Sequence, residues 1–254
     1  MVDGNPDLDR SENPPGADGQ PEAPDPDGQA RNVFGARLHL AVRYGQLLVG
    51  DGVTQGLIGP REVPRLWDRH LVNGAVLAAL IPRAATVCDV GSGAGLPGIP
   101  LAIARPDLRV TLVEPLARRV SFLRGVVDEL GLDTLTVLRG RVDGSVAAVA
   151  TADGDPVTAG PFDVVTGRAV AALDRLLPWL VPLARGGGVI LAVKGATAGQ
   201  EVAAARGALT ALGARARVVR LGPPDDPSAR VVRVEVPARS PSRSGPTRRP
   251  GRAG

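Results

Sequence analysis

The chain contains 254 residues, of which 44% are hydrophobic and 22% charged, and its formal net charge is +4. This length predicts one or two domains with enough apolar side chains for a sizeable core. The longest uncharged stretch, residues 90–104, contains four glycines and two prolines and is too short and too broken for a transmembrane helix. The single cysteine, Cys88, excludes an intramolecular disulfide, and with only two histidines we expect no metal site.

The two ends of the chain differ in charge and share a lack of large apolar side chains. Residues 1–30 contain eight acidic residues and one arginine, whereas residues 237–254 contain five arginines and no acidic residue. Neither segment buries enough surface to offset its ordering entropy, so we predict disordered tails and a folded region over residues 31–236. The acidic start lacks the basic and apolar regions of a secretory signal, so we expect a cytoplasmic protein. The basic tail suits a polyanionic partner.

The folded region begins with two predicted helices, over residues 33–48 and 63–80, which form a helical extension over residues 31–84. From residue 85 to residue 236, short apolar runs alternate with amphipathic segments. We predict strands at 86–90, 109–114, 134–138, 162–166, 188–193, 215–221 and 231–236, and helices at 96–104, 116–131, 173–184 and 199–212. This alternation predicts a doubly wound, mostly parallel α/β sheet. The last two strands have no helix between them and should form a hairpin with one antiparallel strand.

A glycine-rich turn follows the first predicted strand and precedes a helix. It contains Asp89, Gly91, Gly93 and Gly95 at every second position. Glycines allow positive φ angles and close approach of a ligand to the backbone, and the helix start offers free N–H groups. Glu114 ends the next predicted strand, where a carboxylate can accept hydrogen bonds from two ribose hydroxyls. The turn, its context and the acid together predict a nucleoside-binding site.

Two cofactors remain to be weighed, S-adenosylmethionine (SAM) and NAD. NAD sites prefer the spacing G-x-G-x-x-G, whereas the spacing here is typical of class I SAM methyltransferases with a Rossmann-like sheet. An NAD enzyme would also need a proton donor, and a Tyr-x-x-x-Lys pair is impossible with one tyrosine, Tyr44, and one lysine, Lys194. SAM is therefore favoured over NAD.

Four stretches carry a more specific resemblance. They are DVGSGAGLPGIPLAI at 89–103, WDRHL at 67–71, RRVSFLR at 118–124 and FDVVTGRA at 162–169. Together they resemble the bacterial guanine-N7 methyltransferases of 16S rRNA, the RsmG (GidB) family, over residues 33–236. The resemblance implies methyl transfer from SAM to N7 of guanine 527 in 16S rRNA. It also implies the small ribosomal subunit as partner, and we expect a monomer with no membrane association.

The resemblance also implies site residues. Cofactor contacts are expected at Asp89, Gly91, Gly93, Gly95, Leu96, Glu114, Val142, Asp143 and Arg168. Asn73, Gly74 and Gly167 depart from the family pattern, and residues 149–161 look like an insertion. These departures weaken base-contacting roles for Asn73 and Gly167, but leave the cofactor site intact.

The remaining candidates concern the RNA and the chemistry. Arg168 and His70 are expected to position the guanine, because N7 carries a free lone pair and its methylation needs no general base. Candidates for RNA contact are Arg69, Arg118, Arg119, Arg124 and Lys194. For the arginines at 118–124, a solvated helix face is the competing interpretation. A non-catalytic module that binds SAM or RNA during ribosome assembly is the alternative function.

Overall fold

The N-terminal extension is helical but irregular. The computed structural model describes residues 23–142, 149–151, 156–157, 160–168, 171–222 and 229–238. Helices α1 (Gly28–Phe34) and α2 (Leu38–Leu47) are joined by a 3₁₀ turn, and α2 continues as one π-helical turn, Leu48–Gly52. The predicted second helix is divided into a 3₁₀ segment at Pro60–Arg65, a π-helical segment at Leu66–Val72, α3 (Asn73–Ala75) and a 3₁₀ segment at Val76–Leu80. Pro64 lies inside this run and lacks an N–H group, which prevents a regular α-helix there.

Helical structure begins before residue 31, the predicted start of the folded region. Asp27 caps α1 by accepting a hydrogen bond from the Ala30 amide at 2.6 Å, and Ala30 is fully buried. The indole nitrogen of Trp67 donates to the carbonyl oxygen of Pro24 at 2.6 Å. A cap and one long-range hydrogen bond therefore order residues 24–30, which composition alone assigned to a tail. The rest of both predicted tails, residues 1–22 and 239–254, lies outside the described residues.

Within the described residues, nine strands form one sheet. They are β1 (Thr86–Val90), β2 (Arg109–Glu114), β3 (Leu135–Arg141), β4 (Val149–Thr151), β5 (Pro156–Val157), β6 (Phe162–Arg168), β7 (Ala184–Lys194), β8 (Arg215–Leu221) and β9 (Ala229–Glu235). Their spatial order is β5-β4-β3-β2-β1-β6-β7-β9-β8. The five strands from β3 to β7 in this order pair in parallel, and β9 runs antiparallel to both of its neighbours. The doubly wound sheet and its final hairpin are thus confirmed.

The sheet separates two apolar cores. Helices α4 (Gly98–Ala104) and α5 (Ala117–Leu130) pack with the N-terminal extension on one face, and α6 (Leu173–Leu180), α7 (Ala198–Ala204) and α8 (Arg206–Ala211) pack on the other. Val164 and Val165 enter opposite cores, as the two-residue period of a strand requires. No helix in the described part of the chain is both long and apolar enough to cross a membrane. The strand order reverses between β1 and β6, and ligands of such sheets bind at the carboxyl ends of strands there.

Candidate functional site

The glycine turn connects β1 to α4 through left-handed backbone conformations. Gly91, Gly93 and Gly95 have φ angles of 71°, 59° and 100°. The amides of Gly91 and Ser92 both donate to the carbonyl oxygen of Val113 at the end of β2, at 2.9 and 3.2 Å. A Cβ atom on Gly95 would lie 2.3 Å from Cδ1 of Ile99, so this glycine is required for packing against α4. The turn is therefore fixed by backbone conformation and by close packing together.

Asp89 lies beneath this turn and supports it. Its side chain is fully buried, and Oδ2 accepts a hydrogen bond from the amide of Gly98, the first residue of α4, at 3.2 Å. Burial raises the pKa of the Asp89 carboxyl to about 7. The hydroxyl of Ser92 donates to the Asp89 carbonyl oxygen at 2.9 Å. Asp89 therefore joins the turn to the start of α4, and its contact with the cofactor stays a prediction.

Glu114 connects the turn to β2. This side chain is only 1% exposed, and its Oε2 accepts from the Gly93 amide at 2.9 Å while Oε1 accepts from the Leu116 amide at 3.0 Å. A carboxylate offers about four lone-pair directions, so two remain for a ligand. Glu114 borders a cavity of about 480 Å³, lined by Leu57, Gly91, Ser92, Gly93, Ala94, Leu96, Glu114, Pro115, Leu116, Arg119, Arg141 and Arg168.

This first cavity fits an adenosine group with a charged amino-acid substituent, as in SAM. Its walls combine apolar side chains, the backbone of a glycine turn and one carboxylate that retains acceptor capacity. Three arginines border it, and Arg119 Nη1 lies 3.9 Å from Glu114 Oε2. An apolar pocket with a few convergent polar groups is typical of a cofactor site.

A second cavity, of about 710 Å³, lies between the N-terminal extension and the ends of β6, β7 and β9. It is lined by Gln29, Leu57, Ile58, Gly59, Glu62, Arg65, Asp68, Arg69, His70, Asn73, Leu96, Arg168, Val193, Lys194, Gly195, Glu201, Ala229 and Arg230. Leu57, Leu96 and Arg168 line both cavities. The two cavities therefore meet at these three residues.

Arg168 is held at this junction by the N-terminal extension. Its Nη1 donates to the carbonyl oxygen of Arg69 at 3.1 Å, and its Nη2 lies 2.7 Å from Nδ1 of His70. Glu62 completes the network, because Oε2 lies 2.9 Å from His70 Nε2 and Oε1 lies 3.5 Å from Arg69 Nη1. Glu62, Arg69, His70 and Arg168 thus form one closed network.

The network determines the protonation state of His70. A guanidinium is always a donor, so Nδ1 of His70 must accept from Arg168 and the ring proton resides on Nε2, which donates to Glu62. Burial, together with the charge of Arg168, lowers the pKa of His70 below its usual 6.5. His70 is therefore neutral at neutral pH, and its one lone pair is already engaged.

The structure brings together only part of the predicted cofactor set. Gly91, Gly93, Leu96, Glu114 and Arg168 line the first cavity. Neither Asp89 nor Gly95 lines it, and their contacts, described above, support the turn from beneath. Val142 is buried in the core that contains α6, and it lines neither cavity. Asp143 lies outside the described residues.

The predicted RNA contacts are also divided. Arg69 and Lys194 line the second cavity, where Glu62 and Glu201 pair with them. Arg119 borders the first cavity instead. The exposed Arg118 and Arg124 line neither cavity, which agrees with the competing interpretation of a solvated helix face.

Glu62, Glu201 and Arg230, which the sequence analysis did not single out, line the second cavity. Glu62 precedes His70 by eight residues in an irregular helical run, so no periodicity connects the two. Glu201 lies in a helix in which it looks like an ordinary surface acid. Arg230 lies opposite Lys194 in the β7–β9 pairing, lines the cavity and forms no ion pair with the described carboxylates. Only the register of β9 against β7, which the sequence does not encode locally, places Arg230 at this cavity.

Comparison with known proteins agrees with the geometry. The family model of GidB, rRNA small subunit methyltransferase G, matches residues 37–223. The ribosomal RNA small subunit methyltransferase G of Streptomyces avermitilis is 54% identical over 218 residues, covering 85% of this chain and 86% of the relative. The protein of the same name from Thermobifida fusca is 47% identical and covers 89% and 97% of the two chains. The chain belongs to the rRNA small subunit methyltransferase G (GidB) family of SAM-dependent methyltransferases.

Proposed function

We propose that this protein transfers the methyl group of SAM to N7 of a guanine in 16S rRNA, guanine 527 by family resemblance. The observation that carries the proposal is the junction of two cavities at Leu57, Leu96 and Arg168. The first cavity suits the nucleoside of SAM, and the second is large enough for a nucleotide. Their shared boundary is where a methyl donor and an acceptor base can meet.

The chain's own residues bind and orient in this proposal. When bound, SAM supplies an electrophilic methyl group on a sulfonium. Glu114 accepts hydrogen bonds from the ribose hydroxyls with the lone pairs that the Gly93 and Leu116 amides leave free. Leu57 and Leu96 exclude water from the junction. Arg168, fixed by His70 and by the Arg69 carbonyl, positions the reactants.

The state of His70 agrees with transfer to N7. The N7 atom of guanine has a lone pair and no proton, so the reaction requires alignment and no proton acceptor. The His70 lone pair is occupied by Arg168, and burial lowers its pKa, so this histidine is poorly suited to act as a general base. His70 is a positioning residue in this proposal.

Transfer assays separate catalysis from binding alone. Small subunits from a strain that lacks this methylation should accept tritiated methyl groups from SAM, and mapping should locate the label at one guanine. The Arg168→Ala variant should lose the label. If the protein binds SAM and subunits but transfers nothing, it is a non-catalytic assembly module.

We further propose that the protein acts as a cytoplasmic monomer on the small ribosomal subunit. Among the described residues, Leu116 and Val218 are the large apolar side chains that are exposed, at 50% and 38%, and they belong to different parts of the chain. Scattered apolar side chains of this kind do not form a dimer interface. Light scattering at micromolar concentration should give the mass of one chain, 26.0 kDa.

A further inference from the structure

Lys194 and Glu201 form an ion pair in the wall of the second cavity. Lys194 ends β7 and Glu201 lies in α7, with Nζ and Oε2 separated by 2.8 Å. The side chains are only 8% and 23% exposed, yet both line the cavity. A charged pair with so little exposure is costly to desolvate unless its remaining donors and acceptors are satisfied.

The hydrogen bonds of this pair are incomplete within the described part of the chain. The Lys194 ammonium donates to Glu201 and, at 2.6 Å, to the carbonyl oxygen of Ala171, which leaves one of its three N–H groups. Oε2 of Glu201 accepts from Lys194 and, at 3.1 Å, from the Leu173 amide. Oε1 of Glu201 accepts no hydrogen bond from any described residue. One donor and one acceptor therefore remain side by side in the cavity wall.

This arrangement is complementary to one edge of guanine. The base presents the O6 acceptor next to the N1–H donor, followed by the N2 amine, whereas adenine presents an amine next to an acceptor at the same positions. A charge-assisted pair on a base edge provides discrimination of about 1–3 kcal/mol. Such contacts leave N7 free of protein, as methylation requires.

The location of the pair fits this role. Arg168 lies opposite Val193 in the β6–β7 pairing, so Lys194 follows the direct neighbour of Arg168. Neighbouring strands are about 4.8 Å apart, which places the pair one strand away from the junction of the two cavities. A base held there lies within reach of the junction.

We propose that Lys194 and Glu201 form a guanine-reading subsite, in which Lys194 donates to O6 and Glu201 accepts from N1–H and the N2 amine. This inference rests on the proposed function. It also makes the sequence-based role of Lys194 as a candidate RNA contact more specific, because Glu201 already neutralises the ammonium and a base edge suits the pair better than a phosphate. A purely structural pair would join β7 to α7 and would be indifferent to the base.

The test compares target RNA that carries guanosine with RNA that carries inosine, which lacks the N2 amine, at the methylated position. With the full-length wild-type chain, single-turnover transfer and equilibrium binding should both favour guanosine, transfer on the order of tenfold. In Glu201→Gln, we expect the amide oxygen to keep the hydrogen bonds from the Leu173 amide and the Lys194 ammonium. The NH₂ group then faces the N1–H donor of guanine, and two donors cannot pair. Transfer to guanosine should then fall at least tenfold, and the guanosine-to-inosine ratio should approach one.

Glu129→Gln is the matched control, because Glu129 of α5 pairs with Arg43 of α2 and lines neither of the two cavities. Its rates and ratio should equal those of the wild type. Equal wild-type transfer to guanosine and inosine, or an unchanged ratio in a folded Glu201→Gln variant, overturns the subsite while the proposed function stands. Absence of any wild-type transfer overturns the proposed function, and the binding ratio of the two RNAs then decides on the subsite by itself.

Discussion

Glu114 accepts hydrogen bonds from two backbone amides and lines the first cavity. The Gly93 amide belongs to the turn and the Leu116 amide precedes α5, so the carboxylate joins two separate segments of the cavity wall. The charge of Glu114 thus supports the shape of the cavity, and in the proposed function it also binds the ribose of SAM.

The Glu114→Ala variant should bind SAM at least tenfold more weakly, because hydrogen bonds to a charged group contribute about 1.5–3 kcal/mol each. Isothermal calorimetry measures the change, and circular dichroism checks the fold. Glu129→Ala, which removes a similar side chain from an exposed ion pair, should retain wild-type affinity. Unchanged affinity in Glu114→Ala would remove this residue from the cofactor site.

Arg168 and His70 act as a unit, so their variants should share a defect in transfer. Arg168→Ala should lose about a hundredfold in single-turnover rate at saturating RNA, since a misplacement of about 1 Å has an effect of this order. The pH profile of the wild type should have no His70-dependent limb near pH 6.5, because the pKa of His70 is lowered. A limb there that vanishes in His70→Ala would mean general-base catalysis.

The same shift predicts how stability depends on pH. Because the folded-state pKa of His70 lies below the unfolded value of about 6.5, the unfolded chain binds more protons in the window beneath it. The His70 contribution to stability is therefore complete above pH 6.5 and is lost as pH falls. The pKa of Asp89 is raised to about 7, so the folded chain binds this proton more tightly than the unfolded chain. Its contribution to stability therefore increases as pH falls below 7. Urea denaturation gives the free energy of unfolding of the wild type and of His70→Ala at pH 7 and at pH 5. The difference between the two proteins reports the contribution of His70, and it should be smaller at pH 5.

At the scale of elements, the β1–turn–α4 unit depends on close approach at glycines. A Cβ atom on Gly98 would lie too close to Leu112 and Asp89. A Cβ atom on Gly95 would lie too close to Ile99 and Tyr44. The Tyr44 hydroxyl donates to the Ala94 carbonyl oxygen at 2.7 Å, so α2 of the extension also supports the turn. The cofactor turn is therefore supported by β1, β2 and α4 and, from outside the Rossmann-like core, by α2.

Gly95→Ala should destabilise the protein by about 2 kcal/mol or more. Its φ of 100° disfavours any side chain, and a Cβ atom would lie 2.3 Å from Ile99. Gly125→Ala is the control, because Gly125 lies inside α5 and a Cβ atom there would have no neighbour within 4 Å, so this change should stabilise by about 0.5–1 kcal/mol. Chemical denaturation measures both. Equal stabilities of the two variants would contradict the packing role of Gly95.

At the scale of the whole molecule, we expect residues 1–22 and residues 23–30 to differ in their contribution to stability. Deletion of residues 1–22 should leave the melting temperature and SAM affinity unchanged, whereas deletion of residues 1–30 should lower the melting temperature by several degrees. The longer deletion removes the Asp27 cap, the buried Ala30 and the Pro24 carbonyl that accepts from Trp67. Identical melting curves for the two truncated chains would contradict this boundary.

The basic C-terminal segment is expected to contribute to RNA binding by charge. Deletion of residues 239–254 removes five arginines and should weaken binding and flatten its dependence on salt, because fewer counterions are released. Filter binding of 16S rRNA between about 50 and 200 mM salt measures the slope. SAM affinity serves as the internal control and should not change. An unaltered slope would show that the tail does not contact phosphate.

The sequence by itself determined the features that are encoded locally. Alternating apolar runs and amphipathic segments predicted the sheet and its final hairpin, and the turn with Glu114 predicted the cofactor cavity. Only the tertiary structure decided which side chains meet across long separations. Arg168 and His70 are 98 residues apart, and Tyr44 and Ala94 are 50 apart, so no local period links them. Residues 24–30 are ordered by a distant tryptophan, and Lys194 is neutralised by Glu201 from another element. A periodic pattern records which face of one element is buried, whereas a network between elements depends on how those faces pack in space.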